Sequence, residues 1–184
     1  MMTSDLALYL MDARRPDKAR LLLTKSLPAF KSVLGEEHPK TLTAMHNLAR
    51  AMVYTKGRHG EASRNLVRAE ELLQECGRLR EKVLGRYCTS GITLRPTNDL
   101  QYSIDLLYNT PTTISRRHPD TLTTMMSYGC VLQSLGRLDE AIKCYEAALQ
   151  GFVNALGPDA REVHTARENI KQARKQVERK MTQG

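Results

Sequence analysis

Apolar residues recur along most of this chain at intervals of three and four, the stripe of an amphipathic helix. From Pro119 to Leu135 the stripe is Leu122, Met125, Met126, Gly129, Leu132 and Leu135. From Leu138 to Leu156 it is Leu138, Ala141, Ile142, Tyr145, Ala148, Leu149, Phe152 and Val153. Gly136-Arg137 parts the two stretches, and Pro119 suits a first helical position, where its missing N–H is not needed. The pattern predicts a helical hairpin closed by a short Gly-Arg turn.

The hairpin is repeated. His118-Pro119-Asp120-Thr121-Leu122-Thr123-Thr124-Met125 follows His38-Pro39-Lys40-Thr41-Leu42-Thr43-Ala44-Met45 by 80 positions. Leu34-Gly35 precedes the first copy by four positions, and Leu156-Gly157 lies 42 positions after Ile114-Ser115, which holds that place before the second. Gly136-Arg137-Leu138-Asp139-Glu140-Ala141 also matches Gly57-Arg58-His59-Gly60-Glu61-Ala62. The unit is therefore about 42 residues, and a fixed period of that size predicts hairpins stacked into a solenoid. Leu6 to Leu34 aligns with Tyr128 to Leu156, with Ala7 on Gly129, Asp17 on Asp139, Ala19 on Ala141 and Phe30 on Phe152. By that register the chain starts inside a first helix, as an unusual true start or as the tail of a longer array.

The expected organisation is one domain over 1–184, with repeats at about 1–35, 36–85, 86–115 and 116–157 and a capping helix at 158–181. The second repeat carries about eight extra residues in its second helix, where Leu66, Ala69, Leu73, Cys76, Leu79, Val83 and Leu84 keep the stripe. The repeat at 86–115 is degenerate. Arg86 to Pro96 reads as loop in place of a first helix, and Asn98 to Asn109 as a second helix with Leu100, Ile104, Leu107 and Tyr108 inward. Pro158 to Lys180 has Val163, Ala166, Ile170, Ala173 and Val177 on one side and mostly Arg, Lys, Glu and Gln elsewhere, as a solenoid end requires.

Asn47-Leu48-Ala49 and Ser127-Tyr128-Gly129 in first helices, the Gly-Arg turns, and Ala141, Tyr145 and Ala148 in a second helix resemble the tetratricopeptide repeat. The form is the 42-residue one of kinesin light chains and of the repeat tails of some nucleotide-binding immune-type receptors. The resemblance implies an all-α, right-handed α-solenoid of helical hairpins with a C-terminal capping helix. Small residues such as Ala49 and Gly129 belong where helices cross, since only they let backbones approach to about 8–10 Å. It also implies a concave groove of first helices. There the residue before the Leu-Ala or Leu-Gly pair hydrogen-bonds an extended peptide: Asn47 in the second repeat, Ser127 in the fourth and Asn169 in the cap. One turn away stand Thr43, Arg50 and Tyr54, and Thr123, Cys130 and Ser134. An amide both donates and accepts, and the planar fork of Arg50 suits a carboxylate.

Composition narrows the function classes. No apolar run approaches the ~20 residues of a membrane span, and no basic-then-apolar leader opens the chain, so a cytoplasmic protein is expected. Cys76, Cys88, Cys130 and Cys144 fall at no metal-ligand spacing, and helical cysteines behave as small hydrophobes. His38 and His118 stand at equivalent helix boundaries far apart along the array, His46 and His164 lie on first helices without a Cys or carboxylate partner at i+4, and His59 is in a turn. Glycine-rich phosphate loops, nucleophile turns and paired carboxylates are missing. The expectation is a non-catalytic scaffold with no cofactor and no metal.

A net charge of +8 points to an acidic partner, a protein or peptide in the first instance, although the basic residues are dispersed. Leu6, Leu8, Leu10, Leu21, Leu22 and Leu23 mark an N-terminal edge expected to associate, with itself among the candidates. Two rival readings are a sensing or self-association tail of a larger NTPase-type receptor and, ranked lower, RNA binding by helical repeats.

Overall fold

The computed structural model describes residues 2–55, 61–86 and 118–183. Seven helices and no strands occur among them: α1 Met2–Asp12, α2 Pro16–Leu34, α3 Pro39–Tyr54, α4 Glu61–Arg86, α5 Pro119–Ser134, α6 Leu138–Leu156 and α7 Arg161–Gln183. Each packs on the next in sequence, and in addition α1 touches α3 and α3 touches α5. First helices therefore line one side of the stack and second helices the other, the all-α solenoid of the periodic pattern.

Local chemistry fixes the helix ends. The Nδ1 atoms of His38 and His118 accept the backbone N–H of Lys40 at 3.1 Å and of Asp120 at 3.3 Å. Each His-Pro pair is thus an N-cap followed by a proline at the first helical position, and it satisfies one of the donors that a helix start leaves unpaired. Thr41, two residues into α3, donates its hydroxyl to the carbonyl of Gly35 at 2.8 Å and pins the turn from α2. The Leu-Gly anchors have a backbone cause. Gly35 and Gly157 end α2 and α6 at φ +88° and +90°, where a Cβ is strained. Arg14, in the register place of Gly136 at φ +82°, sits at φ +56° instead.

Packing puts the small residues where helices cross. Ala49 is fully buried, and a Cβ on Gly129 would lie 2.5 Å from Tyr145 Cε1. Gly151 faces the Leu122 side chain in the same way, with no room for a Cβ between them. The core runs unbroken through the stack, with Leu23, Met45, Leu73, Leu122, Leu132, Tyr145, Phe152 and Val163 among its fully buried members. Each such side chain contributes about 1.5–3 kcal/mol by leaving water. The cysteines on the helices take their places in it: Cys76 and Cys144 are buried and Cys130 packs against the cluster.

Two expected features differ in detail. α4 spans 26 residues against 19 in α2 and α6, the predicted long second helix. It includes Arg86, which the sequence placed in a loop. The last helix starts at Arg161, three residues after Pro158, because Gly157-Pro158 supplies no His-type cap and Pro158-Asp159 forms a turn. The loop expected up to Pro96, the helix expected at Asn98–Asn109, Cys88 and the Gly57-Arg58 turn lie outside the described residues.

What the structure does place is α5 directly on α4, with α3 and α5 in contact. The fourth repeat's first helix is stacked on the second repeat, so two first helices neighbour each other despite the stretch between them in sequence.

Candidate protein-binding groove

α3 is embedded on nearly all sides, because α1, α2, α4 and α5 surround it. Its buried residues run through Thr41, Leu42, Ala44, Met45, His46, Asn47, Leu48, Ala49, Ala51 and Met52. An isolated amphipathic helix would expose half of these. The consequence for the groove is that Asn47 is only 3% exposed, and its Nδ2 has no hydrogen-bond partner among the described residues.

Arg50, Tyr54 and Ser127 come together. With Val53, Leu73 and Cys130 they line one small recess where α3, α4 and α5 meet. Arg50 and Val53 are half-buried, and Tyr54 is an exposed aromatic. The recess thus joins an apolar floor, a cation and an aromatic face. Thr43 and Thr123 stand apart from it, one turn into their helices, with hydroxyls donating to the carbonyls of Pro39 at 2.9 Å and Pro119 at 2.8 Å. Asn169 is half-buried on α7, one repeat further along.

Several residues that build the floor carry no motif in the sequence. His46 is buried with its Nε2 3.4 Å from Ser127 Oγ, a direct link between the first helices of two repeats. Burial, reinforced by the charges of Arg80 and Arg50, pulls its pKa down to about 3, so it is neutral near pH 7. Arg80 of α4 is buried and donates to the Asp120 carbonyl and to Thr124 Oγ1 of α5. On the far side of the junction Gln74 donates to the Tyr128 hydroxyl at 3.1 Å and that hydroxyl donates to Glu70 at 3.2 Å. Arg137 bridges Glu70 at 2.7 Å and Glu140 at 2.7 Å. Burial pushes the Tyr128 phenol up to about 12, so it stays a donor to Glu70. The only sequence signal for this network was the Gly136-Arg137 turn, whose arginine proves to be the inter-repeat fastener.

No group of three or more His, Cys, Asp or Glu among the described residues is arranged to hold a metal ion. None of the described helices is long and apolar enough to cross a membrane.

Stacked helical hairpins whose first helices neighbour one another define a helical-repeat protein. Family models described as tetratricopeptide repeat match residues 1–75 and 121–159, together more than half of the chain. The chain belongs to the tetratricopeptide repeat family, whose repeats are protein–protein interaction modules. The fold is similar to the nearly identical TPR-like repeats of a Podosopora anserina protein described as a kinesin light chain, with a TM-score of 0.64 and 19% identity. That match covers 93% of this chain and 63% of the other, so this chain spans less than two thirds of that structure. A substituted form of the Podosopora anserina repeats matches at a TM-score of 0.42 and 19% identity, over 98% of this chain and 88% of the other. No curated protein matches the chain by sequence.

Proposed function

We propose that this chain is a non-catalytic scaffold that binds a peptide or partner segment along its first-helix face, with Arg50, Tyr54 and Ser127 as the contact point. One observation carries this reading: α3 and α5 are adjacent, so side chains of two repeats share one recess. Arg50 offers a fork for a carboxylate, Tyr54 a ring for an aliphatic or aromatic side chain, and Ser127 a hydroxyl that both donates and accepts. Asn47 lies beneath this face, with its amide covered in the free protein. The net charge of +8 favours an acidic segment through steering. Thr43, Thr123 and Asn169 extend the same face.

The test is a random-peptide library selected on the full chain, with each selected peptide then measured on Arg50→Ala and Tyr54→Ala proteins. Each substitution is expected to weaken binding by about 1 kcal/mol or more, roughly five- to tenfold, while the melting temperature stays put. Arg50→Ala should also flatten the salt dependence. Peptides that bind both variants as tightly as wild type would place the interaction elsewhere.

A further inference from the structure

His46 is a polar side chain at a core position. Its repeat equivalent in α5 is Met126, and both are buried, His46 at 5% exposure. A buried imidazole costs free energy for each nitrogen left unpaired, which a methionine at the same place would avoid. One nitrogen is paired and the other is not: Nε2 lies 3.4 Å from Ser127 Oγ, whereas Nδ1 is covered and has no partner among the described residues. Ser127 departs from its neighbours in the matching way. Thr43, Thr123 and Ser134, also on first helices, donate their hydroxyls to the carbonyls four residues back, at 2.9, 2.8 and 2.9 Å. Ser127 Oγ is set toward His46 instead.

Burial and the charges of Arg80 and Arg50 keep His46 neutral near pH 7, so the ring carries one proton. On Nδ1 that proton would be a buried donor without an acceptor, in surroundings made positive by two arginines. On Nε2 it is donated to Ser127 Oγ, and Nδ1 keeps a lone pair, which a positive field tolerates. The Ser127 oxygen then accepts, and its own proton is left for the recess that it lines beside Arg50. Among the described residues no Asp or Glu lines that recess, and burial pushes the Cys130 thiol up, so it brings no negative charge. The room, about 20 Å³, admits about one atom of water size. On the basis of the groove reading for what binds there, we infer that His46 is a positioning residue: its Nε2–H fixes Ser127 as a donor into the recess, which with Arg50 makes a subsite for one oxygen of an oxyanion, a carboxylate or a phosphate, in preference to a neutral amide.

Two measurements on the full chain test this. In protein labelled with ¹⁵N-histidine, the nitrogen shifts of His46 at neutral pH should show Nε2 protonated and Nδ1 bare; the opposite tautomer would overturn the positioning role whatever binds in the groove. Acetate, inorganic phosphate and acetamide are then titrated while the Arg50 and Ser127 amide signals are followed. Acetate or phosphate should shift them saturably and acetamide should not, and the tighter of the two anions assigns a carboxylate or a phosphorylated side chain as the ligand group. His46→Met, which copies the residue of the equivalent repeat position, should weaken anion binding by about fivefold, because the Ser127 hydroxyl then turns to the Thr123 carbonyl as its neighbours do. His46→Gln, whose amide N–H takes the place of Nε2–H, should restore most of it. Anion binding that Arg50→Ala abolishes and His46→Met leaves at wild-type strength would overturn the role of His46. Peptides that bind the groove of a protein indifferent to both anions would overturn the subsite and leave the groove reading standing.

Discussion

Gly129 and Gly77 are both interior helical glycines, and replacing each by alanine separates helix propensity from packing. Alanine in place of a helical glycine gains about 1 kcal/mol from reduced freedom of the unfolded chain. At Gly77 in α4 a new Cβ meets no described atom within 4 Å, so that gain stands alone. At Gly129 the Cβ falls 2.5, 2.8 and 3.0 Å from Cε1, Cδ1 and Cζ of Tyr145, well inside the ~3.5–4 Å optimum for carbon pairs. The ring has nowhere to retreat, since Tyr145 is fully buried and its hydroxyl donates to Gln133 Oε1 at 2.9 Å. Overpacking of this kind costs roughly 1–3 kcal/mol. The propensity gain is common to both variants and cancels, leaving Gly129→Ala less stable than Gly77→Ala by about 2 kcal/mol. For a chain of this length that separates their melting temperatures by about 4–8 °C. Thermal unfolding followed by circular dichroism reads it directly. Gly129→Ala rising in melting temperature as much as Gly77→Ala would show that α5 and α6 do not cross on this residue.

Other contacts give further expectations. His46 is neutral in the fold, with a pKa of about 3, whereas the unfolded chain takes up its proton near 6.5, so stability present above pH 6.5 is lost as pH falls. Between about pH 6.5 and 5 the loss is about 1.5 kcal/mol, and urea titrations of His46→Gln should show that slope removed. Glu70 and Arg137 should couple by about 0.5–1 kcal/mol in a double-mutant cycle and less at about 1 M salt, and a coupling of zero would remove Arg137 as the fastener between repeats. Arg14→Gly should raise stability by up to about 1 kcal/mol because Arg14 holds φ +56° where the equivalent turn has Gly136, and an unchanged melting temperature would show no strain there.

The period, most helix ends and the crossing positions were legible in the chain because each is set locally. A stripe at helical spacing, a cap that must satisfy an N–H, a glycine in the left-handed region and a helix approach that admits no side chain all leave marks on a few neighbouring residues: His38-Pro39, Gly35, Gly129. The candidate groove was legible only in outline. Asn47 has the look of an exposed polar residue when α3 is read as an isolated helix with one wet side. The tertiary structure buries it because helices stack on both flanks of α3, which no stripe on α3 alone reports. The same stacking decides that His46 meets Ser127, 81 positions away, and that Arg50, Tyr54 and Ser127 share one recess. These contacts depend on which hairpin follows which in space. Periodicity along the chain dictates the hairpin and its spacing, whereas the packing of α5 onto α4 selects which side chains face one another across repeats.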